Sequence, residues 1–337
     1  MELVNKTPFR AERFLLQDRE GRDLLAVILK CTYSLKSRAE IRPAEEQVPV
    51  QMEDGFYGRP GESSVRYESD LVPFKPGTDV VLIGHAYAPK PMIRRIDVTV
   101  RVGSLERTCR VNGNRRWQKT FGFLGISEPE PLEKIPLVYE RSFGGQDLSS
   151  PEVKDHEREN RNPVGCGLWA RKSRLEPEEV ALPNIEDPAN PIKGRQDRPR
   201  PAGFGFIGRH WQPRLAYAGT YDQNWAEKRS PLLPLDFDER YFHGAHPDLV
   251  FNGHLQGGEP VEIIHASPQG SLRFTLPRMR PQVALISTAM EWTYAEPRFD
   301  TLILEPDESR IIAVWRASKL LDNLLHKVAF IRVTADG

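Results

Sequence analysis

The sequence predicts a mainly β protein, built of antiparallel, sandwich-like sheets with few short helices and a long Pro-rich, charged loop. Three observations predict it. Short apolar runs bounded by Gly, Pro and Asn dominate both ends of the 337-residue chain. One of these runs alternates apolar and polar residues with period two, the pattern of a half-buried strand. Between the two ends, residues 150–200 carry ten basic side chains, ten acidic ones and seven prolines, a composition that cannot keep long regular elements.

Taken in order, residues 24–29 (Leu-Leu-Ala-Val-Ile-Leu) lead into Cys31, Thr32 and Tyr33 as a buried strand. Residues 79–87 read similarly, with Val80, Val81, Leu82 and Ile83 stopped by Pro89. Residues 96–102 (Ile-Asp-Val-Thr-Val-Arg-Val) alternate strictly, and residues 105–111 follow Gly103, so the pair predicts an antiparallel hairpin. In the last third, residues 261–265, 272–276, 283–286, 301–304, 311–315 and 328–333 are strand-like. Gly257-Gly258 and Gln269-Gly270 supply turns among them. Two helices are expected. Residues 222–228 form two turns capped by Asp222. Residues 317–326 place Leu320, Leu321, Leu324 and Leu325 on one face, with Ser318 as N-cap.

This gives a β-rich region over 1–145, a Pro/charge-rich loop or linker over 146–200, and a β-rich region with short helices over 201–337. The middle region is expected to be an ordered loop docked through Trp169, Leu175, Val180, Leu182 and Ile185, with a mobile tip near residues 152–159.

Composition narrows the function classes. Charged residues make up 28% of the chain, but 47 basic and 47 acidic side chains cancel. Such a balance exerts no global pull on nucleic acid or anionic lipid. Cys31, Cys109 and Cys166 are widely spaced and form no Cys-x-x-Cys pair, which points away from a zinc site or a disulfide framework. Free thiols suit a reducing cytoplasm. Charges at Arg10, Glu12, Arg13, Asp18, Arg19 and Glu20 interrupt any secretory signal, and the longest apolar run is too short for a bilayer. The expectation is a cytoplasmic protein with no nucleic-acid partner, no membrane insertion and no cofactor.

Four patterns carry possible chemistry. Residues 203–208 (Gly-Phe-Gly-Phe-Ile-Gly) fit the dinucleotide fingerprint, which needs a strand before it and a helix after it. Pro199 and Pro201 upstream and Pro213 downstream deny both, so an aromatic glycine turn is the expectation. Asp236 and Asp238 flank Phe237, close to His243 and His246, with His254 and Asp248 following. Paired carboxylates with imidazoles suggest a metal-dependent hydrolase as the alternative function. Caps and pairs with Arg240 or Arg229 are the simpler account of the same residues. Cys166 lies between two glycines with no accompanying histidine motif, so a packed small residue in a tight turn is preferred to a nucleophile. Residues 101–119 carry six positive charges against one negative with Trp117 among them, which reads as a solvated face or a patch for an acidic protein before nucleic-acid binding.

Several strings together resemble one family. They are Phe143-Gly144-Gly145, Asn162-Pro163-Val164-Gly165-Cys166-Gly167, Leu182-Pro183-Asn184-Ile185-Glu186, Pro201-Ala202-Gly203-Phe204-Gly205 and Trp211-Gln212-Pro213-Arg214. The densest is Ala218-Gly219-Thr220-Tyr221-Asp222 with Trp225, followed by residues 231–241 and Pro247-Asp248-Leu249. The chain resembles the uncharacterised-domain proteins encoded beside type VI secretion spike genes, which act as effector adaptors or chaperones. His243, His246 and residues 264–266 depart from the pattern. The resemblance implies a non-catalytic protein with two partners. One is an effector carrying a spike-tip domain of the proline-alanine-alanine-arginine (PAAR) type; the other is the valine-glycine-repeat (VgrG) spike. Partner binding is expected at Trp211, Arg214, Tyr217, Tyr221, Trp225, Asp236, Asp238 and Arg240.

Overall fold

A computed structural model describes residues 1–36, 41–321 and 328–336. Three sheets dominate. The largest has seven strands, in the order Val250–Phe251, Thr78–Leu82, Pro297–Glu305, Arg310–Leu320, Asp23–Ser34 and Arg10–Gln17, with Arg42–Pro43 added beside Asp23–Ser34. Its pairs are antiparallel except Thr78–Leu82 with Pro297–Glu305. The second sheet has five strands, Ile185–Glu186, Leu105–Asn112, Arg95–Val102, Pro260–Ile264 and Leu272–Thr275, all antiparallel. The third has four, Glu2–Asn5, Val328–Asp336, Arg280–Ser287 and Trp292–Ala295. The predicted class is therefore observed: mainly β, antiparallel and layered around a shared interior.

Residues before 145 and after 201 pair in both larger sheets, so the two β-rich regions share one apolar core. That core takes Leu25, Ile28 and Leu29 from the long strand, Val98 and Val100 from the hairpin, and Leu304, Ile312 and Val314 from the C-terminal third. Continuous apolar runs become strands buried on both faces, as Asp23–Ser34 is from Leu24 to Tyr33. The alternating run becomes Arg95–Val102, paired with Leu105–Asn112 across a turn at Gly103, whose φ of +58° suits glycine.

The helix expected over 222–228 is present as Gln223–Lys228, with the Asp222 side chain accepting from Trp225 N at 2.8 Å. The helix expected over 317–326 is a correction. Residues 317–320 finish the strand Arg310–Leu320, where Ala317 faces Val27 and Leu320 faces Leu24. Ser318, expected as an N-cap, instead donates to the Pro73 carbonyl. The ladder with Asp23–Ser34 supplies backbone partners that a local leucine pattern cannot outbid. Residues 322–326 of that expectation lie outside the described residues.

The 146–200 region is an ordered loop of two-residue bridges and 3-10 turns. It encloses its own apolar cluster of Trp117, Phe143, Leu168, Trp169, Val180, Leu182 and Ile192. Its segment 152–159 contains the 3-10 turn Val153–Asp155 and is tied through Glu157 to Arg198 at 2.8 Å and Glu159 to Arg161 at 2.6 Å. Two of the glycine strings meet here. Phe143–Gly144 pairs in parallel with Cys166–Gly167, and Asn162 Nδ2 donates to the carbonyls of Tyr139 (2.7 Å) and Phe143 (3.0 Å). A Cβ on Gly144 would lie 2.1 Å from the Asn162 carbonyl oxygen, and one on Gly165 2.6 Å from that of Ser142. Only glycine allows the two backbones to approach so closely.

Candidate functional site

The candidate site is a small helical lobe standing on a buried ionic network. The network begins at Asp79, in the strand Thr78–Leu82, whose carboxylate has no solvent exposure. It accepts from Lys75 Nζ at 2.6 Å, His243 Nδ1 at 2.7 Å and Gly244 N at 2.8 Å. Burial alone would raise its pKa, but Lys75 and His243 outweigh burial and hold the carboxyl well below the usual carboxylate range. Burial likewise opposes charge on Lys75, and the Asp79 and Glu68 carboxylates overcome it to raise that group. Glu68 sits next, with one oxygen accepting from Arg214 and, at 3.4 Å, from Arg209, while the other lies 3.7 Å from Lys75 Nζ. A Cβ on Gly244 would fall 2.2 Å from that second oxygen, so glycine is required for the backbone to reach Asp79. Buried charges persist when each is paired, and here they form one connected set.

Arg214 carries the network into the lobe. Its Nε donates to the Tyr241 carbonyl at 2.8 Å and its Nη1 to the Ile207 carbonyl at 2.9 Å. These bonds fasten the 3-10 turn Arg214–Tyr217 against a second one, Glu239–Phe242. The Arg240 guanidinium lies over the Tyr217 ring, 4.3 Å from its centre, and pairs with Asp238. Asp238 also caps its turn by accepting from Arg240 N at 2.9 Å, and Arg240 holds its carboxyl below the usual range. Asp236 accepts from Thr220 N at 3.0 Å and Oγ1 at 2.8 Å, which lowers its pKa too. Tyr221 and Trp225 meet edge to face at 4.7 Å, and Trp225 Nε1 donates to the Leu232 carbonyl at 2.8 Å. A cleft of about 330 Å³ opens between Pro213, Arg214, Tyr217, Arg240, His243 and Val250.

The eight residues expected to bind a partner thus gather in this part of the chain, with two corrections. Trp211 is buried, edge to face with Tyr139 at 5.7 Å, because its indole completes an apolar cluster with Tyr139 and Ile207. Arg214 is buried because its charge answers Glu68. Both act as supports. Tyr221, Asp236 and Arg240 are exposed, and Tyr217, Trp225 and Asp238 are half-buried. Tyr221 is 53% exposed, and beside it the lobe leaves Leu215 at 45% and Leu235 at 75% exposure, apolar surface that the sequence reading did not single out.

The hydrolase constellation does not assemble. Asp236 goes to Thr220, Asp238 to Arg240, His243 to Asp79, and His254 Nδ1 lies 3.3 Å from the Phe299 carbonyl. Among the described residues no group of three or more His, Cys, Asp and Glu could hold a metal ion. The 203–208 string has Phe204 and Phe206 in the core, with Leu82 N donating to the Phe204 carbonyl at 3.0 Å, so it packs as an aromatic turn. The Cys166 thiol is pushed up to about 11 by burial, against the pull of Arg141 and Arg115, which keeps it protonated at neutral pH. The basic stretch 101–119 is mostly neutralised in place: Arg101 pairs with Glu262, Arg107 with Asp248, Arg110 with Asp97 and Arg115 with Glu186, while Trp117 is buried.

Glu68, Lys75 and Asp79 were missed by sequence reading. Their only local signal is the four-residue spacing of Lys75 and Asp79, which in an extended segment predicts no contact. Among the described residues no helix is long and apolar enough to cross a membrane. No curated protein and no solved structure matches the chain. A family described as "Uncharacterized protein conserved in bacteria (DUF2169)" matches residues 20–316, nearly the whole chain and all of the lobe. The chain belongs to this bacterial family.

Proposed function

We propose that the protein is a non-catalytic adaptor that binds a type VI secretion effector through its PAAR-like domain and helps load it onto the VgrG spike. The reading comes from the strings over residues 143–249 that resemble such adaptors. The observation that carries it further is the lobe itself: exposed Leu215, Tyr221 and Leu235 on short turns that a buried ion network holds rigid. A rigid apolar surface with arginine and tyrosine among it suits protein docking, since ordering costs little on binding. The carboxylates and imidazoles nearby are engaged in holding backbone and arginines, a use consistent with a scaffold.

A pull-down of a co-expressed effector by wild-type protein and by a Leu215→Ser/Leu235→Ser variant tests the assignment of the lobe. Retention by the wild type and loss by a folded variant supports it. Equal retention by both moves the docking surface elsewhere.

A further inference from the structure

A second cleft, of about 470 Å³, lies where the end of the Pro-rich loop meets residues 207–213 and the turn Pro247–Leu249. Its walls include Arg107, Tyr139, Arg161, Asp187, Arg200 and His246. The Tyr139 side chain is 97% buried by its 3% exposure, yet its hydroxyl has no hydrogen-bond partner among the described residues. Buried hydroxyls are nearly always bonded, so an orphan in a cleft wall marks a place for a ligand acceptor.

The other donors agree. His246 Nδ1 accepts from Asp248 N at 3.2 Å, which puts the ring proton on Nε2. Burial, with Arg107 and then Arg200 adding to it against Asp187, keeps that ring neutral, its pKa lowered to about 3. Arg107 is engaged with Asp248 and the Gly203 carbonyl, and Arg161 with Glu159. Among the described residues the Arg200 guanidinium has no hydrogen-bond or ion-pair partner.

We infer that this cleft binds a carboxylate, held by Arg200, the Tyr139 hydroxyl and the neutral His246 Nε2–H. One free guanidinium with two neutral donors matches a single negative charge. A phosphate dianion would meet Asp187 and Asp248 in the same walls. The carboxylate can come from an acidic protein side chain or from a small free acid. The inference does not depend on the adaptor reading, because none of these residues belongs to the exposed surface of the lobe.

Calorimetric titration of the full chain with propionate, with neutral propionamide and with a blocked peptide carrying one glutamate tests it. Saturable binding of propionate or the peptide, with none of propionamide, is expected. Arg200→Gln and Tyr139→Phe should each weaken binding by about tenfold, the loss of one charge-assisted or buried hydrogen bond. Phe123→Ser, 80% exposed and outside the cleft, should leave it unchanged. Binding of the peptide alone assigns the carboxylate to a protein segment, and binding of propionate as well shows that the free acid suffices. If neither probe saturates, or if both variants bind like wild type, the inference is overturned. Arg200 is exposed, so its variant remains informative even if Tyr139→Phe fails to fold.

Discussion

The Arg214 guanidinium contacts the Glu68 carboxylate across 146 residues of sequence, with both side chains only 4% exposed. The pair joins the segment before the strand Thr78–Leu82 to the first turn of the lobe. Removing one partner leaves the other charged and buried. Arg214→Ala should therefore destabilise the fold by about 3–5 kcal/mol, read as a lower urea midpoint. A Glu68→Gln/Arg214→Met pair should cost less than the sum of the single changes, since the buried charge is then removed from both sides.

Stability should fall in mild acid, and His246 is one cause. Its folded pKa of about 3 lies below the ordinary histidine value, so the unfolded chain takes up the proton first. The neutral ring's contribution is complete above about pH 6.5 and is lost as pH falls toward 3, at no more than about 1.4 kcal/mol per pH unit. His254, also lowered by burial first, adds in the same direction. Urea midpoints at pH 7, 6 and 5 should decline less for His246→Gln than for wild type.

Asp79 governs a more acidic window. Its folded pKa is depressed, so the stability it confers is present above the unfolded carboxylate value of about 4 and is lost as pH drops below it. Asp79→Asn should remove that acid sensitivity and destabilise the protein at pH 7, where Lys75 loses its 2.6 Å partner. Circular dichroism across pH 2–7 separates the two effects.

The glycine strings are expected to be intolerant of one methyl group. Gly165→Ala would put Cβ 2.4 Å from Asn162 Nδ2 and 2.6 Å from the Ser142 carbonyl oxygen, so backbone has to shift. A loss of about 1–3 kcal/mol is predicted. Gly253→Ala, where nothing lies within 4 Å, has no such clash. Its φ of +84° still disfavours alanine, which makes it the control for backbone strain alone.

Much of the fold was legible because strands announce themselves locally. The alternation at residues 96–102 and the apolar run at 24–29 each became the strand expected of it. The error at residues 317–320 arose where leucine spacing suggested a helix while eleven residues were pairing with Asp23–Ser34. Capping by Asp222 was readable because cap and helix are three residues apart. The ionic network was not, because Glu68 finds Arg214 146 residues away and Asp79 finds His243 164 away, pairings that no spacing encodes. Trp211 was taken for a contact residue because aromatic identity alone does not distinguish an interior ring from an exposed one.

The exposed residues of the lobe offer the cleanest separation of stability from binding. Leu215→Ser and Leu235→Ser remove apolar surface that contributes little to the core, so each should shift stability by no more than about 0.5 kcal/mol. The same changes should weaken partner binding by about fivefold or more, measured by titration of a labelled effector domain.

The proposed role of the protein is that of an adaptor. Co-expression with an effector carrying a PAAR-like domain, then affinity purification and size-exclusion chromatography, tests it most directly. A co-eluting complex that survives raised salt is expected, because docking on the exposed Leu215, Tyr221 and Leu235 is apolar. Separate elution of the two proteins, with a stoichiometric metal ion in the purified chain, would contradict it.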